Sequence, residues 1–122
     1  MILVDTSIWA DHFGRREKEL ARLLENEEVL GHAFVTAELA LGNLIDRPGT
    51  IGMLEALPRA TVASHTELMG MIEQEKLAGG GIGFVDAHLL AACRLSAASL
   101  WTRDIRLAAQ AAALGLAWST ID

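Results

Sequence analysis

The sequence predicts a three-layer α/β/α domain, in which helices cover both faces of a central parallel sheet of four to five strands. The composition is 52% hydrophobic, and a parallel sheet buried on both faces accounts for that excess. Short aliphatic runs alternate with segments of helical periodicity along the chain. A length of 122 residues fits a single domain over residues 1–122.

The first part of the chain predicts one strand and two helices. The aliphatic run at residues 2–5 is typical of a buried strand. The Asp5-Thr6-Ser7 segment then supplies capping side chains for a helix that Gly14 ends. Leucines at helical spacing predict a second helix over residues 17–26.

The middle of the chain predicts a second strand, at either residues 29–30 or residues 33–35. Thr36 is a capping candidate for a helix that contains Glu38, and residues 46–49 form a stop signal. Further elements are expected in this part: a short helix over residues 50–57, a strand over 60–63 and a helix over 67–77.

The glycine-rich segment at residues 79–83 follows a predicted helix and lacks the Lys-Ser/Thr ending of a phosphate-binding loop. We therefore interpret it as a flexible connector. It leads into a helix whose first turn holds Asp86. The last expected elements are a strand over residues 99–102, a helix over 104–114 and an edge strand over 116–119.

Charge and hydropathy exclude several classes of protein. The formal net charge of −6 argues against broad attraction to a polyanion, because nonspecific nucleic-acid binding relies on Lys and Arg. A nuclease stays open, since bound divalent cations reverse the local charge of a carboxylate cluster. No apolar run approaches the ~20 residues of a membrane span, and no basic leader precedes residues 2–5. We therefore expect a cytoplasmic protein, with Cys93 as a core residue.

Four carboxylates stand where strands are expected to end or helices to begin. Asp5 closes the first aliphatic run, and Asp104 follows the strand at residues 99–102. Glu38 and Asp86 open helical patterns. Any one of these acids is explained as a helix cap or first-turn residue, which stabilises a helix by ~0.3 to 1 kcal/mol. Because ligands of open α/β sheets bind beyond the carboxyl ends of the strands, the four together predict an acidic pocket that holds a cation.

The types of ligand select the cation. Oxygen-only carboxylate sites suit Mg²⁺ or Mn²⁺, whereas zinc sites draw on Cys and His. Substrate phosphate oxygens complete the coordination of Mg²⁺ when few carboxylates hold it, which favours metal-assisted phosphoryl chemistry. Thr6, Ser7 and Thr102 are placed to hydrogen-bond these carboxylates, or equally to serve as plain caps and strand ends. The histidines lack metal-ligand spacing, and we interpret all four as surface or partner-facing residues: His12, His32, His65 and His88.

Four segments in order resemble the PIN-domain ribonucleases of the VapC toxin type, and the resemblance extends from residue 1 to about residue 118. The segments read ILVDTS at residues 2–7, TAELALGN at 36–43, GFVDAHLLAA at 83–92 and LWTRD at 100–104. The resemblance implies a parallel sheet between helices and an endoribonuclease that depends on Mg²⁺ or Mn²⁺. It further implies that the catalytic and metal-binding quartet is Asp5, Glu38, Asp86 and Asp104, with Thr6, Ser7 and Thr102 as polar support.

The same resemblance implies two protein partners besides an RNA substrate. One is a cognate antitoxin of the VapB type, which inhibits the toxin, and the other is a second copy of the chain in a homodimer. Trp9 and Phe13 are the candidates to line a groove for an antitoxin segment. Ordinary core packing is the alternative for both.

Two other functions remain open at this point. A nonenzymatic RNA-binding or antitoxin-bound regulatory module would use the same fold. A phosphatase or phosphotransfer domain would use Asp5 as a phosphoryl acceptor. The phosphatase reading ranks low because position 7 is Ser7 where a second Asp is expected, and no suitably placed Lys follows a later strand.

Overall fold

A computed structural model describes residues 1–119, and within them seven helices surround a three-stranded parallel sheet. The strands are β1 (Ile2–Val4), β2 (Val29–Leu30) and β3 (Ser99–Trp101), in the spatial order β2-β1-β3. The helices are α1 (Thr6–Gly14), α2 (Lys18–Glu25), α3 (Ala33–Ala40), α4 (Arg47–Ala56), α5 (His65–Gln74), α6 (Phe84–Leu95) and α7 (Ile105–Ala113).

The central strand β1 is buried on both faces. Successive side chains of a strand point to opposite faces, and all three side chains of β1 are buried, with Leu3 and Val4 at 0% exposure. Helices therefore cover both sides of the sheet, as the apolar composition predicts. Cys93 is also fully buried, and burial raises the pKa of its thiol to about 12, so its prediction as a core residue is confirmed.

The predicted count of four to five strands is wrong, because both outer positions are reduced to single bridges. Gly31 forms an isolated parallel bridge with Arg59, and Leu100 forms one with Ala117. The first outer position follows Pro58, which has no N–H to extend a ladder of hydrogen bonds. Neither segment therefore continues as a strand beyond the one bridged residue.

Helix α3 begins earlier than the sequence predicts. His32 caps it, since the Nδ1 atom of His32 accepts a 3.0 Å hydrogen bond from the N–H of Phe34. Residues 33–35 are therefore helical, and Thr36 is an interior residue. As a consequence, Glu38 lies in the second turn of α3 rather than at its start.

Helix α4 begins inside the segment that the sequence analysis interpreted as a stop signal. Pro48 occupies the first turn of α4, where its missing N–H has no helical partner to lose. Asp46, the residue before α4, adopts a left-handed conformation with φ of 49°. The segment at residues 46–49 therefore starts a helix instead of ending one.

The glycine-rich segment packs against α7 and is more than a connector. Gly81 has a φ of +80°, which favours glycine, and a Cβ at this position would lie 2.7 Å from the Cδ of Arg106. Gly80 approaches the side chain of Gln110 in the same way. Two α7 side chains thus occupy the space that glycines leave open. Among the helices of residues 1–119, none has the length and apolar character to cross a membrane.

Candidate active site

Asp5 is the centre of a hydrogen-bond network at the carboxyl ends of the strands. It follows β1, caps α1, and is 7% exposed. Its Oδ1 accepts from the backbone N–H of Thr6 at 2.7 Å. Its Oδ2 accepts from the hydroxyls of Ser7 at 3.1 Å and Thr102 at 2.6 Å. Because three donors hold it, this nearly buried carboxylate keeps one orientation.

Thr102 joins Asp5 to Asp104. The Oγ1 of Thr102 donates to Asp5 and also accepts from the backbone N–H of Asp104 at 3.0 Å. Asp104 caps α7, since its Oδ1 accepts from the N–H of Leu107 at 3.0 Å. The backbone N–H of Asp5 donates to the Trp101 carbonyl at 2.9 Å, which holds the two strand ends together. Both acids thus occupy the strand ends that the sequence predicts.

Glu38 reaches the same network from α3. The hydroxyl of Thr6 donates to the Oε1 of Glu38 at 2.7 Å, while the backbone N–H of Thr6 holds Asp5. Glu38 is exposed, whereas Asp5 is nearly buried. One threonine therefore couples a buried acid to an exposed one through two different atoms.

Asp86 lies in the first turn of α6, and its Oδ2 accepts from the backbone N–H of Gly83 at 3.2 Å. Burial raises the pKa of Asp86, and the hydrogen bond from Gly83 opposes that rise. The negative charges of the other three acids raise it further. All four carboxylates therefore share one electrostatic environment, although their residues come from four separate parts of the sequence.

The donor set fits a hard divalent cation. All four side chains offer oxygen, the ligand that Mg²⁺ and Mn²⁺ prefer. In the part of the chain that the structure describes, no three Asp, Glu, His or Cys side chains form a group ready to hold an ion. Mg²⁺ does not require such a cage, because one or two carboxylates, waters and substrate phosphates normally bind it. Zn²⁺ fits less well, since its sites need three or four protein ligands.

Arg103 has a structural role in the site that the sequence analysis did not predict. Its guanidinium pairs with Asp11 at 3.0 Å and with Glu17 at 2.6 Å, and it lies 6.0 Å from the ring centroid of Trp101. Its backbone N–H donates to the Ser7 hydroxyl at 3.2 Å. These contacts fix the turn between β3 and α7. Because its partners are distant in sequence, no local signal indicates this role.

Two histidines contradict the prediction that the histidines are surface or partner-facing residues. His32 is 1% exposed and His88 is 5% exposed. Burial lowers the pKa of both, and the neighbouring charges of His88 and Arg59 contribute for His32, whose pKa falls to about 4. Both rings contact Phe34, with centroid distances of 5.2 Å for His32 and 4.8 Å for His88. These histidines are therefore interior residues between α3 and α6.

The two candidate groove residues differ in exposure. Trp9 is 1% exposed and belongs to the core, so its side chain is not available as a groove surface. Phe13 is only half-buried and lines an open cavity of about 740 Å³. Glu38 and Thr6 line the same cavity, which therefore adjoins the acidic network.

Comparison with known proteins finds similar sequences over the region that contains these residues. A family model described as PIN domain matches residues 2–113, a range that contains all four acids. Two relatives named Ribonuclease VapC32 come from the Mycobacterium tuberculosis strains CDC 1551 / Oshkosh and ATCC 25618 / H37Rv. Each is 41% identical over 118 residues, which cover 96% of this chain and 95% of the relative.

Proposed function

The chain belongs to the PIN-domain family, and from that premise we propose that it is the toxin of a type II toxin–antitoxin module. Its activity in this proposal is Mg²⁺- or Mn²⁺-dependent cleavage of RNA phosphodiester bonds. The observation that carries the proposal is the network in which Asp5, held by three donors, connects to Asp104 and Glu38 through two threonines. Helix capping alone needs no such convergence.

In this proposal the four acids hold the cation, and each polar neighbour orients one of them. The chemistry that a bound divalent cation supplies is acidification of water and stabilisation of charge on the scissile phosphate. Ser7 and Thr102 direct Asp5, whereas Thr6 directs Glu38. These hydrogen bonds fix the directions of the carboxylate oxygens at the strand ends.

The test is cleavage of RNA by purified, antitoxin-free protein with and without Mg²⁺ or Mn²⁺. Wild type is expected to cleave only with a divalent cation, and Asp86→Asn is expected to lose that cleavage. Glu73→Gln, which changes an exposed acid on α5, is the matched control and should cleave like wild type. Equal cleavage by Asp86→Asn and wild type would point to a contaminating nuclease. Absence of cleavage by wild type would favour a nonenzymatic module.

The antitoxin site in this proposal is the cavity that Phe13 and Glu38 line. Its apolar wall suits an apolar antitoxin side chain, and Glu38 suits a basic one. Phe13→Ala is expected to weaken binding of a cognate VapB-type antitoxin while RNA cleavage is retained. Leu95→Ala, an exposed apolar truncation at the far end of α6, is the control. Unchanged antitoxin affinity for Phe13→Ala would reject this site.

We further propose that the protein is cytoplasmic and forms a homodimer, as the family membership suggests. Light scattering on the purified chain tests the dimer directly. A monomer at micromolar concentration would contradict it without affecting the nuclease proposal.

A further inference from the structure

A basic surface lies where α1 meets α2. Arg15, Arg16 and Lys18 are exposed there and form what we call the basic patch. Together with Arg103, they line an open cavity of about 610 Å³. Four of the ten Lys and Arg residues of the chain therefore line one cavity, although the formal net charge is −6.

The charges of the basic patch are not neutralised by ion pairs within residues 1–119. The two acids that line the cavity, Asp11 and Glu17, both pair with Arg103 instead. Three exposed arginines elsewhere each pair with an acid: Arg22 with Glu19, Arg59 with Glu55 and Arg94 with Glu75. The basic patch therefore offers three positive charges to a ligand.

Direct contacts connect the basic patch to the acidic network. The Oδ2 of Asp5 accepts from the Ser7 hydroxyl at 3.1 Å, and that hydroxyl accepts from the backbone N–H of Arg103 at 3.2 Å. The guanidinium of Arg103 pairs with Glu17 at 2.6 Å, and Glu17 is the middle residue of the segment 16–18. The basic patch thus flanks the acids at the strand ends.

The lining of this cavity favours a phosphate backbone over a protein partner. Its uncharged lining residues are Ala10 and Gly14, which are both small. Protein partners usually need large apolar or aromatic anchors, whereas phosphates need only cations. The cavity beside Phe13 does contain such anchors, since Leu39 and Ile45 also line it. The two cavities that adjoin α1 therefore suit different classes of ligand.

We propose that the basic patch binds backbone phosphates of the RNA that flank the scissile phosphate. This inference rests on the proposed function for the identity of the substrate, and it adds a second contact region at the boundary between α1 and α2. Four carboxylates without a cation repel a polyanion, so the attraction has to come from cations outside the acidic network. Contacts to phosphates add affinity but do not select a base sequence.

The experiment measures RNA binding without cleavage, in EDTA. A fluorescently labelled RNA of random sequence is titrated with protein, and its anisotropy gives the affinity at several salt concentrations. Arg15→Gln, Arg16→Gln and Lys18→Gln are each expected to lower the slope of log affinity against log salt by about 0.7, the contribution of one phosphate contact to a single strand. The triple variant should lower the slope by about 2.

Two control variants separate the basic patch from net charge and from side-chain shape. Lys76→Gln removes an exposed cation that follows α5 and lies outside the lining of the cavity, so it should keep the slope of wild type. Arg16→Lys keeps the charge and should also keep that slope. If Lys76→Gln lowered the slope as much as Arg16→Gln does, RNA would respond to net charge alone and the proposal would be overturned.

Cleavage with Mg²⁺ is a separate arm. Variants of the basic patch are expected to raise KM for RNA more than they lower kcat, because contacts to flanking phosphates are the same before and during the reaction. Wild type that binds RNA through the basic patch but never cleaves it would refute the proposed nuclease and retain the patch.

Three outcomes would overturn the role of the basic patch without deciding the nuclease activity. The first is that wild type does not bind RNA, and the second is that the triple variant binds RNA with the slope of wild type. The third is that the triple variant binds RNA normally but loses affinity for a VapB-type antitoxin, which would assign the cavity to a protein partner.

Discussion

The four acids divide into two pairs that the fold holds in different ways. Asp5 directly follows the central strand β1, and Asp104 lies three residues after the end of the edge strand β3. These two acids, the strand-end pair, cap the next helices and share Thr102. Glu38 and Asp86 form the second pair, the helix pair, and lie on helices α3 and α6. Glu38 reaches the strand-end pair through one hydroxyl, and Asp86 has no hydrogen bond to the other acids within residues 1–119.

This difference separates structural from electrostatic roles. The carboxylate of Asp5 satisfies three donors and therefore contributes to folding as well as to the site. Asp86 instead carries a raised pKa, because burial and three nearby acids disfavour its charge. Mutations in the first pair should affect stability and activity together, whereas mutations in the second pair should separate them.

Single substitutions that replace one acid of each pair by its amide should give the largest effect. We expect Asp5→Asn and Asp86→Asn each to lower the RNA cleavage rate by roughly 100- to 1,000-fold, the typical loss of a group that stabilises transition-state charge. Asp5→Asn should also lower the free energy of unfolding by about 2 kcal/mol, because an amide nitrogen cannot accept from the donors that Asp5 holds. Asp86→Asn should leave stability unchanged or raised. Single-turnover cleavage and urea denaturation measure the two quantities.

The comparison fails if both variants lose the same stability. In that case the strand-end pair and the helix pair would be equally structural. Glu73→Gln serves again as a control for removing one negative charge, since this residue is exposed on α5.

The same division explains what the sequence could predict. Asp5 and Asp104 were placed correctly because a strand end followed by a capping acid is a local pattern. Glu38 was misplaced within its helix because His32, whose ring nitrogen caps α3, is not a usual capping residue. The family resemblance is confirmed, whereas the roles of the individual acids stay predictions.

Other features depended on distant contacts and could not be predicted. The burial of His32 and His88 results from packing between α3 and α6, which no local periodicity indicates. The prediction of two outer strands was wrong because aliphatic composition predicts an extended chain but does not predict how many residues pair with the neighbouring strand. The predicted exposure of these two histidines and the predicted number of strands were therefore wrong for the same physical reason, which is that both depend on contacts between residues distant in sequence.

Acid should lower the free energy of unfolding through His32, the buried residue that caps α3. The pKa of His32 is about 4 in the folded protein and 6.5 ordinarily, so the unfolded chain binds more protons between these values. The stabilisation from neutral His32 is complete above pH 6.5 and is lost as pH falls toward 4. Over that range, wild type should lose roughly 3 kcal/mol more than His32→Asn. Urea denaturation at several pH values measures this.

His32→Asn is the informative variant because an Asn oxygen still accepts from the N–H of Phe34 and keeps the cap of α3. His88, on α6, and Arg59 are the charged or titratable groups that act on His32, and both remain in the variant. Parallel pH profiles for the two proteins would show that His32 does not control acid stability.

Removing single hydroxyls should distinguish the two pairs by a smaller amount. Thr102→Val keeps the side-chain shape but removes the donor to Asp5 and the acceptor for the Asp104 N–H. We expect the concentration of Mg²⁺ needed for half-maximal cleavage to rise roughly 10- to 100-fold. Thr6→Val removes only the donor to the exposed Glu38, so its effect should be smaller.

Thr102→Ser restores the hydroxyl and should return the Mg²⁺ requirement to that of wild type. A loss that serine does not rescue would assign the effect to packing of the Thr102 methyl group. If Thr6→Val raised the Mg²⁺ concentration for half-maximal cleavage more than Thr102→Val does, the proposed order of the two pairs would be reversed.

Mg²⁺ alone should give the smallest effect, a gain in stability without RNA. A ligand that binds only the folded state at ten times its dissociation constant stabilises by about 1.4 kcal/mol, which corresponds to a rise of a few degrees in Tm. Asp5→Asn and Asp86→Asn should both lose this rise if both pairs hold the cation, while Glu73→Gln should keep it. Retention by Asp86→Asn alone would restrict cation binding to the strand-end pair, whose two acids Thr102 links before RNA arrives. If the Tm of wild type did not change with Mg²⁺, the RNA phosphate would have to bind before the cation.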